Sequence, residues 1–253
     1  MVQGIEVFKT YFSGYEDQYM LIGGMACDLL MSDAGLDFRR TKDIDMVLIV
    51  EALTTEFARA FWRFIDEGGY AARQRSTGKP EFYRFVNPAS PGYPEMVELF
   101  SRPQTGVRLH TEAHLTPIYI SDDIASLSAI LLDEDYYNFL LGGRSVSGEI
   151  SVLDAAHIIP FKMKAWLDLR EKKANGSTHV NDRDLRKHRQ DVFRLFQLVS
   201  AESRISVPTA VHKDILAFIQ EMRAMDIDLT SIHIRRDKDS ILDILESIYI
   251  REQ

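Results

Sequence analysis

The sequence predicts an α+β fold: a mixed sheet flanked by helices over residues 1–150, followed by a helical region over residues 151–253. Three observations predict it. Between Tyr19 and Val50 the chain reads strand, glycine turn, helix, strand, with apolar runs at Tyr19 to Ile22 and Met46 to Val50, Gly23-Gly24 after the first run, and a helical stretch from Met25 to about Met31. From Tyr70 to Phe100 short apolar runs alternate with turn-rich segments, as strands being added to a sheet do. From Leu153 onward apolar residues recur at helical spacing instead.

Taken in order, Ile5 to Phe12 is predicted as a short amphipathic helix leading into the first strand. Glu51 to Glu67 sets Phe57, Phe61, Phe64 and Ile65 at helical spacing, and Gly68-Gly69 ends that helix. Tyr70 to Arg75 and Glu81 to Val86 read as strands around the turn residues Ser76-Thr77-Gly78-Lys79-Pro80, Asn87 to Pro94 as a loop, and Glu95 to Phe100 as a further strand. Leu115 to Ile120 reads as a strand and Ile124 to Leu132 as helix or strand. Tyr136 to Leu141 and Ser145 to Leu153 read as a hairpin about Gly142-Gly143-Arg144. Helices are predicted at Leu153 to Lys173, Asp182 to Ser200, Pro208 to Met225, where proline suits a first turn, and Lys238 to Ile248; Asn175-Gly176-Ser177-Thr178 is a loop.

Composition narrows the function classes. With 253 residues, 45% hydrophobic and 27% charged, the chain has the balance of a globular protein with a sizeable core. A formal net charge of -8 excludes a broadly basic nucleic-acid binder, although a local basic patch is compatible with it. Cys27 is the only cysteine, which excludes an internal disulfide and any multi-cysteine metal site. The N-terminus lacks the basic start and apolar core of a signal peptide, and no apolar run reaches bilayer-spanning length. A cytoplasmic protein without a membrane partner is therefore expected. His179 and His188 have no companion ligands at zinc spacing and are read as surface residues. No Walker lysine loop and no nucleophile elbow occurs.

The chemistry concentrates in three places. In an extended strand alternate residues share a face, so Asp43 and Asp45 stand together while Ile44 and Met46 face the core. Two carboxylates at that spacing repel each other unless a cation lies between them, and oxygen donors of this kind suit Mg2+ or Mn2+. Gly23 and Gly24 leave room for a triphosphate to approach backbone amides at the start of the following helix. Glu98 is an acid flanked by Val97 and Leu99 in a strand that otherwise reads as buried, a placement that asks for a partner. Glu95 is an odd number of residues away and takes the opposite face.

This set resembles the nucleotidyltransferase superfamily with the DNA polymerase beta type of fold, whose signature is a glycine pair after a strand, an Asp-x-Asp pair, and a third acid on a later strand. Arg40-Thr41-Lys42-Asp43-Ile44-Asp45 is similar to the arginine-led Asp-x-Asp segment of the AbiEii/AbiGii-like branch, the abortive-infection toxins and their relatives. Glu98 stands where the family more often has Asp. In the helical region, Pro160 to Arg170 resembles the branch's K-x-x-A helix with Lys162 as the matching lysine, and Lys187 to Phe193 resembles its later segment ending in Asp191. Lys164 competes with Lys162, but two positions along a helix turn a side chain roughly 200° away, so both cannot face one phosphate. Arg170 falls one residue later than the pattern expects, and 172–180 is an insertion.

The resemblance implies Mg2+- or Mn2+-dependent transfer of a nucleoside monophosphate from an NTP to an acceptor, with release of pyrophosphate. The acceptor is an RNA end such as that of tRNA, a protein or a small molecule. Asp43, Asp45 and Glu98 are implied as metal ligands, with Glu98 or Asp45 helping to deprotonate the acceptor. Gly23, Gly24, Arg40, Thr41, Lys162 and Asp191 are implied on the nucleotide side, and a cognate antitoxin is implied as a partner. The competing expectation is a nucleotide-binding regulatory or toxin-like module that does not turn over.

Overall fold

The computed structural model describes residues 4–39, 41–49, 51–72, 82–100, 130, 133–177 and 180–252. The readings at Arg40, at 73–81, at Leu115 to Ile120, at most of Ile124 to Leu132 and at His179 lie outside the described residues. The chain forms two compact units, Met1–Ser121 with Arg144–Leu153, and Asp122–Gly143 with Asp154–Gln253.

The first unit is a mixed seven-stranded sheet flanked by helices. Its elements are α1 (Ile5–Phe12), β1 (Tyr19–Ile22), α2 (Gly23–Asp33), β2 (Asp43–Leu48), α3 (Thr55–Gly68), β3 (Ala71–Ala72), β4 (Phe82–Val86), β5 (Met96–Phe100), β6 (Arg144–Ser147) and β7 (Ile150–Leu153). The strand order is β3-β4-β5-β2-β1-β7-β6. The central β2 runs antiparallel to β1 and parallel to β5, and β5 runs antiparallel to β4. One face of these strands carries Ile44, Met46, Val97, Leu99 and Phe85, all buried. Helices α1 and α3 lay an aromatic layer on that face: Phe8 and Phe12 stack at 4.3 Å, Phe8 meets Tyr19 edge-on at 5.5 Å, and Phe61 meets Phe85 at 5.7 Å. Each such ring contributes about 1.5–3 kcal/mol by leaving water, so this face is the anchor of the sheet.

Local signals close the elements. Thr54 caps α3 by accepting the Phe57 N–H at 3.2 Å, and its own N–H and hydroxyl both donate to Gln18 Oε1, at 2.8 and 2.9 Å. Gly69 ends α3 in the left-handed conformation at φ 62, as a glycine there allows. The second unit holds α4 (Glu134–Gly142), α5 (Ala155–Ala174), α6 (Asp182–Phe196), α7 (Thr209–Ala224) and α8 (Lys238–Ile248), together with a parallel pair of short strands, β8 (Ile205–Val207) and β9 (Tyr249–Arg251). Pro160 lies inside α5, where its missing N–H leaves the Ala156 carbonyl four residues back without its helical donor; the Tyr249 hydroxyl donates to that oxygen at 2.6 Å. A helix interrupted by proline is completed by a strand from the chain's end.

The hairpin expected about Gly142-Gly143-Arg144 is corrected. Tyr136 to Leu141 is part of helix α4, because Asp133 accepts the Asp135 and Tyr136 N–H groups at 3.0 and 3.2 Å and two acids stand in the first turn. The hairpin is β6–β7 itself, turning at Gly148 and Glu149, whose φ of 49 and 68 are the paired positive values of a tight two-residue turn. Gly143 is required for another reason: a Cβ there would lie 2.5 Å from the Cβ of His157, which packs flush against it.

Candidate active site

The register of three strands builds the site. Asp45 on β2 stands beside Glu98 on β5, and Glu98 stands beside Arg84 on β4. Paired positions point to the same face, so these three side chains form one row on the face opposite the aromatic layer. Val97 and Leu99 on either side of Glu98 point the other way into the core and are 0% and 1% exposed. The row is largely enclosed: Glu98 is only 13% exposed at its side chain and is hydrogen-bonded to both neighbours. Arg84 Nε donates to Glu98 Oε1 at 2.6 Å, and Nη2 donates to the same oxygen. Desolvation pushes the Glu98 carboxyl up, the Asp45 charge pushes it further, and Arg84 pulls it back, leaving it at about 8.

The glycine turn meets this row from the next strand. Ile22, the last residue of β1, pairs with Asp45, and Gly23 follows at φ 68. A Cβ on Gly23 would sit 2.8 Å from Asp45 Cγ, so the backbone at the start of α2 lies directly against the Asp45 carboxylate. The N-cap residue of α2, Ile22, makes no side-chain cap bond. A phosphate held there would lie next to Asp45. Gly24 is buried, and a Cβ on it would reach Thr41 Oγ1 at 2.8 Å and Arg39 Nη2 at 3.5 Å. Thr41 thus lies against the turn. Arg39 also reaches the turn, whereas Arg40 lies outside the described residues.

The structure does not gather all the acids at one point. Asp43 shares the face of Asp45 but pairs with Met96, about 7 Å along the strand. Among the described residues no group of three or more His, Cys, Asp or Glu is arranged to hold a metal ion. The donor chemistry still fits a hard cation: Asp45 and Glu98 are adjacent carboxylates on paired strands, with Asp43 on the same face. Glu95 stands apart, exposed and paired with Lys42 at 2.5 Å.

The second unit places Lys162 and Asp191 together by themselves. Lys162 is 5% exposed and Asp191 is 0% exposed; Lys162 Nζ donates to Asp191 Oδ2 at 3.0 Å, and Arg194 Nη1 lies 3.6 Å from Asp191 Oδ1. Lys164 turns to another face, where it pairs with Asp168 at 2.8 Å and Asp214 at 3.8 Å. The two lysines thus separate as helical geometry requires. Sequence reasoning missed Arg84 and Arg39. A signal for Arg84 was present: an arginine among the apolar residues of Phe82–Val86 is as much in need of a partner as Glu98.

No family model matches the chain, and no curated protein matches it. Among solved structures, the chain is similar to an antigenic nucleotidyltransferase-like protein from Paracoccidioides brasiliensis, at 14% identity and a TM-score of 0.41, over 91% of this chain and 94% of that one. It is also similar to the antibiotic-resistance factor ANT(2'')-Ia, at 12% identity and a TM-score of 0.39, over 90% of this chain and 96% of that one.

Proposed function

We propose that the protein is a nucleotidyltransferase that moves a nucleoside monophosphate from an NTP to a hydroxyl or similar acceptor and releases pyrophosphate. The observation that carries this reading is the row of Asp45 and Glu98 with the Gly23 backbone set against it. It brings a proton acceptor, a pair of hard oxygen donors and the start of a helix to one edge. In the reaction the acceptor oxygen loses its proton, bonds to the α-phosphorus, and displaces pyrophosphate from it. Glu98 or Asp45 takes the proton as general base. The amides at Gly23 and Gly24 hold the phosphates, and Thr41 braces the turn beneath them. Asp43, Asp45 and Glu98 would hold Mg2+ or Mn2+, which supplies charge neutralisation on the phosphates.

Arg40, Lys162 and Asp191 belong to this reading on the nucleotide side, with Asp191 orienting the lysine ammonium. The wider reading is a toxin of the AbiEii-like, abortive-infection or toxin–antitoxin type, acting in the cytoplasm and held by a cognate antitoxin. Among the described residues no helix is long and apolar enough to cross a membrane. A second reading, a module that binds nucleotide without turnover, is favoured by one observation: Glu98 is tied to Arg84 and the three acids are not gathered. Incubation with each α-labelled NTP, Mg2+ or Mn2+ and a cell extract fractionated into RNA, protein and metabolites separates the two. Label appearing in one fraction names base and acceptor together. Retention of NTP with no label transferred in any fraction leaves the binding module.

A further inference from the structure

Arg84 is the cation that the strand pairing sets beside Glu98, and its geometry is specific. Both guanidinium nitrogens that reach Glu98, Nε and Nη2, bond the same oxygen, Oε1. Glu98 lies between Arg84 on one side and Asp45 on the other, because β5 lies between β4 and β2. The clamp leaves Oε2 outside its grip. Arg84 is itself only 24% exposed at its side chain and is fixed by strand pairing directly opposite the residue it holds. An ion pair this enclosed is not the loose surface kind, and a fork of two donors orients a carboxylate as a single ammonium cannot.

We propose that Arg84 is a positioning residue of the nucleotidyltransferase site, acting through Glu98: it fixes Oε1 and so presents the other carboxylate oxygen for a divalent cation shared with Asp45. This rests on the metal reading of the site given above. Removing an orienting partner of a ligating carboxylate typically weakens metal affinity about 10- to 100-fold. Arg84 does this without touching the cation.

The test reads binding of Mn2+ alone, followed by electron paramagnetic resonance on the full chain without nucleotide, with folding of each variant checked by circular dichroism. Wild type is expected to bind and Asp45→Asn to lose binding; a wild type that binds no Mn2+ removes the metal reading and the Arg84 role with it. Arg84→Met is expected to weaken binding about tenfold or more, and Arg84→Lys to recover part of that loss. The Lys variant retains charge and bulk, so it carries the test if the Met variant fails to fold. Arg84→Met combined with Glu98→Gln is expected to bind no more weakly than Glu98→Gln alone. Affinity that is unchanged or higher in the Arg84 variants overturns the proposal while leaving the metal reading in place, the rise marking Arg84 as a competitor of the cation. Fully additive losses overturn the route through Glu98.

Discussion

Asp191, fully buried, and Glu98, largely enclosed, are each held by a cation, and their surroundings differ in kind. Asp191 in the helical unit is wholly enclosed, with Lys162 at 3.0 Å and Arg194 at 3.6 Å, so two cations surround one acid. Glu98 in the sheet unit has one cation, Arg84, and a second acid, Asp45, beside it. The first arrangement is satisfied as it stands. The second sets one acid beside another next to the start of α2, and in the proposed function a divalent ion would offset their charge.

The comparison breaks most severely at Asp45. Asp45→Asn is expected to lower nucleotide transfer by about 10³-fold, some 4 kcal/mol in transition-state stabilisation, while the metal-free protein stays folded or gains stability because a like-charge contact is relieved. Steady-state rates with the acceptor fraction identified above, beside urea melts, check both halves. Retained turnover in a folded Asp45→Asn protein sinks the site.

The next largest effect is expected in the helical unit and in the opposite observable. Lys162→Met removes the 3.0 Å partner of a fully buried carboxylate, and breaking such a pair costs about 3 kcal/mol or more. Lys162→Met combined with Asp191→Leu removes both charges and is expected to recover most of that stability. If Lys162 also serves the nucleotide, the double variant regains its fold and not its NTP affinity. A double variant that binds NTP as wild type does confines Lys162 to architecture.

Much of this contrast was legible in the residues. The alternation that puts Asp43 and Asp45 on one face, the glycine pair, and Glu98 between two apolar neighbours each follow from strand geometry, and the register sets Asp45 against Glu98. Arg84 was harder, because its meaning depends on which residue stands across the β4–β5 pairing, a contact 14 positions away along the chain. Helix α4 was misread because Tyr136, Tyr137 and Phe139 are strand-favouring residues, and only the Asp133 cap and the acids behind it declare a helix. Strands β8 and β9 have three residues each, too few to show a period, and exist because distant segments pair in parallel. That Asp43 falls opposite Met96 is a fact of register that no local pattern carries.

A smaller effect sharpens the difference through pH. Glu98 is raised from an ordinary 4.5 to about 8, mainly by burial and then by Asp45, against the pull of Arg84. A carboxyl whose folded pKa is raised binds more protons folded than unfolded between those values, so stability is greatest at low pH and falls as pH rises through the window. In the absence of divalent ions the wild type is expected to lose about 2 kcal/mol between pH 6 and pH 8 relative to Glu98→Gln, which has no proton to release there. Parallel urea-melt stabilities for the two proteins across that range would show Glu98 to be an ordinary carboxylate.

The smallest effect is expected at the other acid of the same strand region, and it calibrates the rest. Glu95 pairs with Lys42 at 2.5 Å, but the two side chains are 50% and 56% exposed, and an ion pair in water contributes about 0.2–1 kcal/mol at most. Its backbone does more, since the Glu95 N–H donates to the Lys42 carbonyl at 3.0 Å, and a side-chain change leaves that bond intact. Glu95→Gln is therefore expected to shift stability by under about 1 kcal/mol, to lose even that difference in high salt, and to leave Mn2+ binding unchanged. Three residues separate Glu95 from Glu98, an odd step that turns it off the reactive face. Weakened Mn2+ binding in Glu95→Gln would place the cation at the exposed start of β5 instead of the Asp45–Glu98 row, and the contrast between an open acidic row and a closed ion pair would have to be redrawn around Lys42.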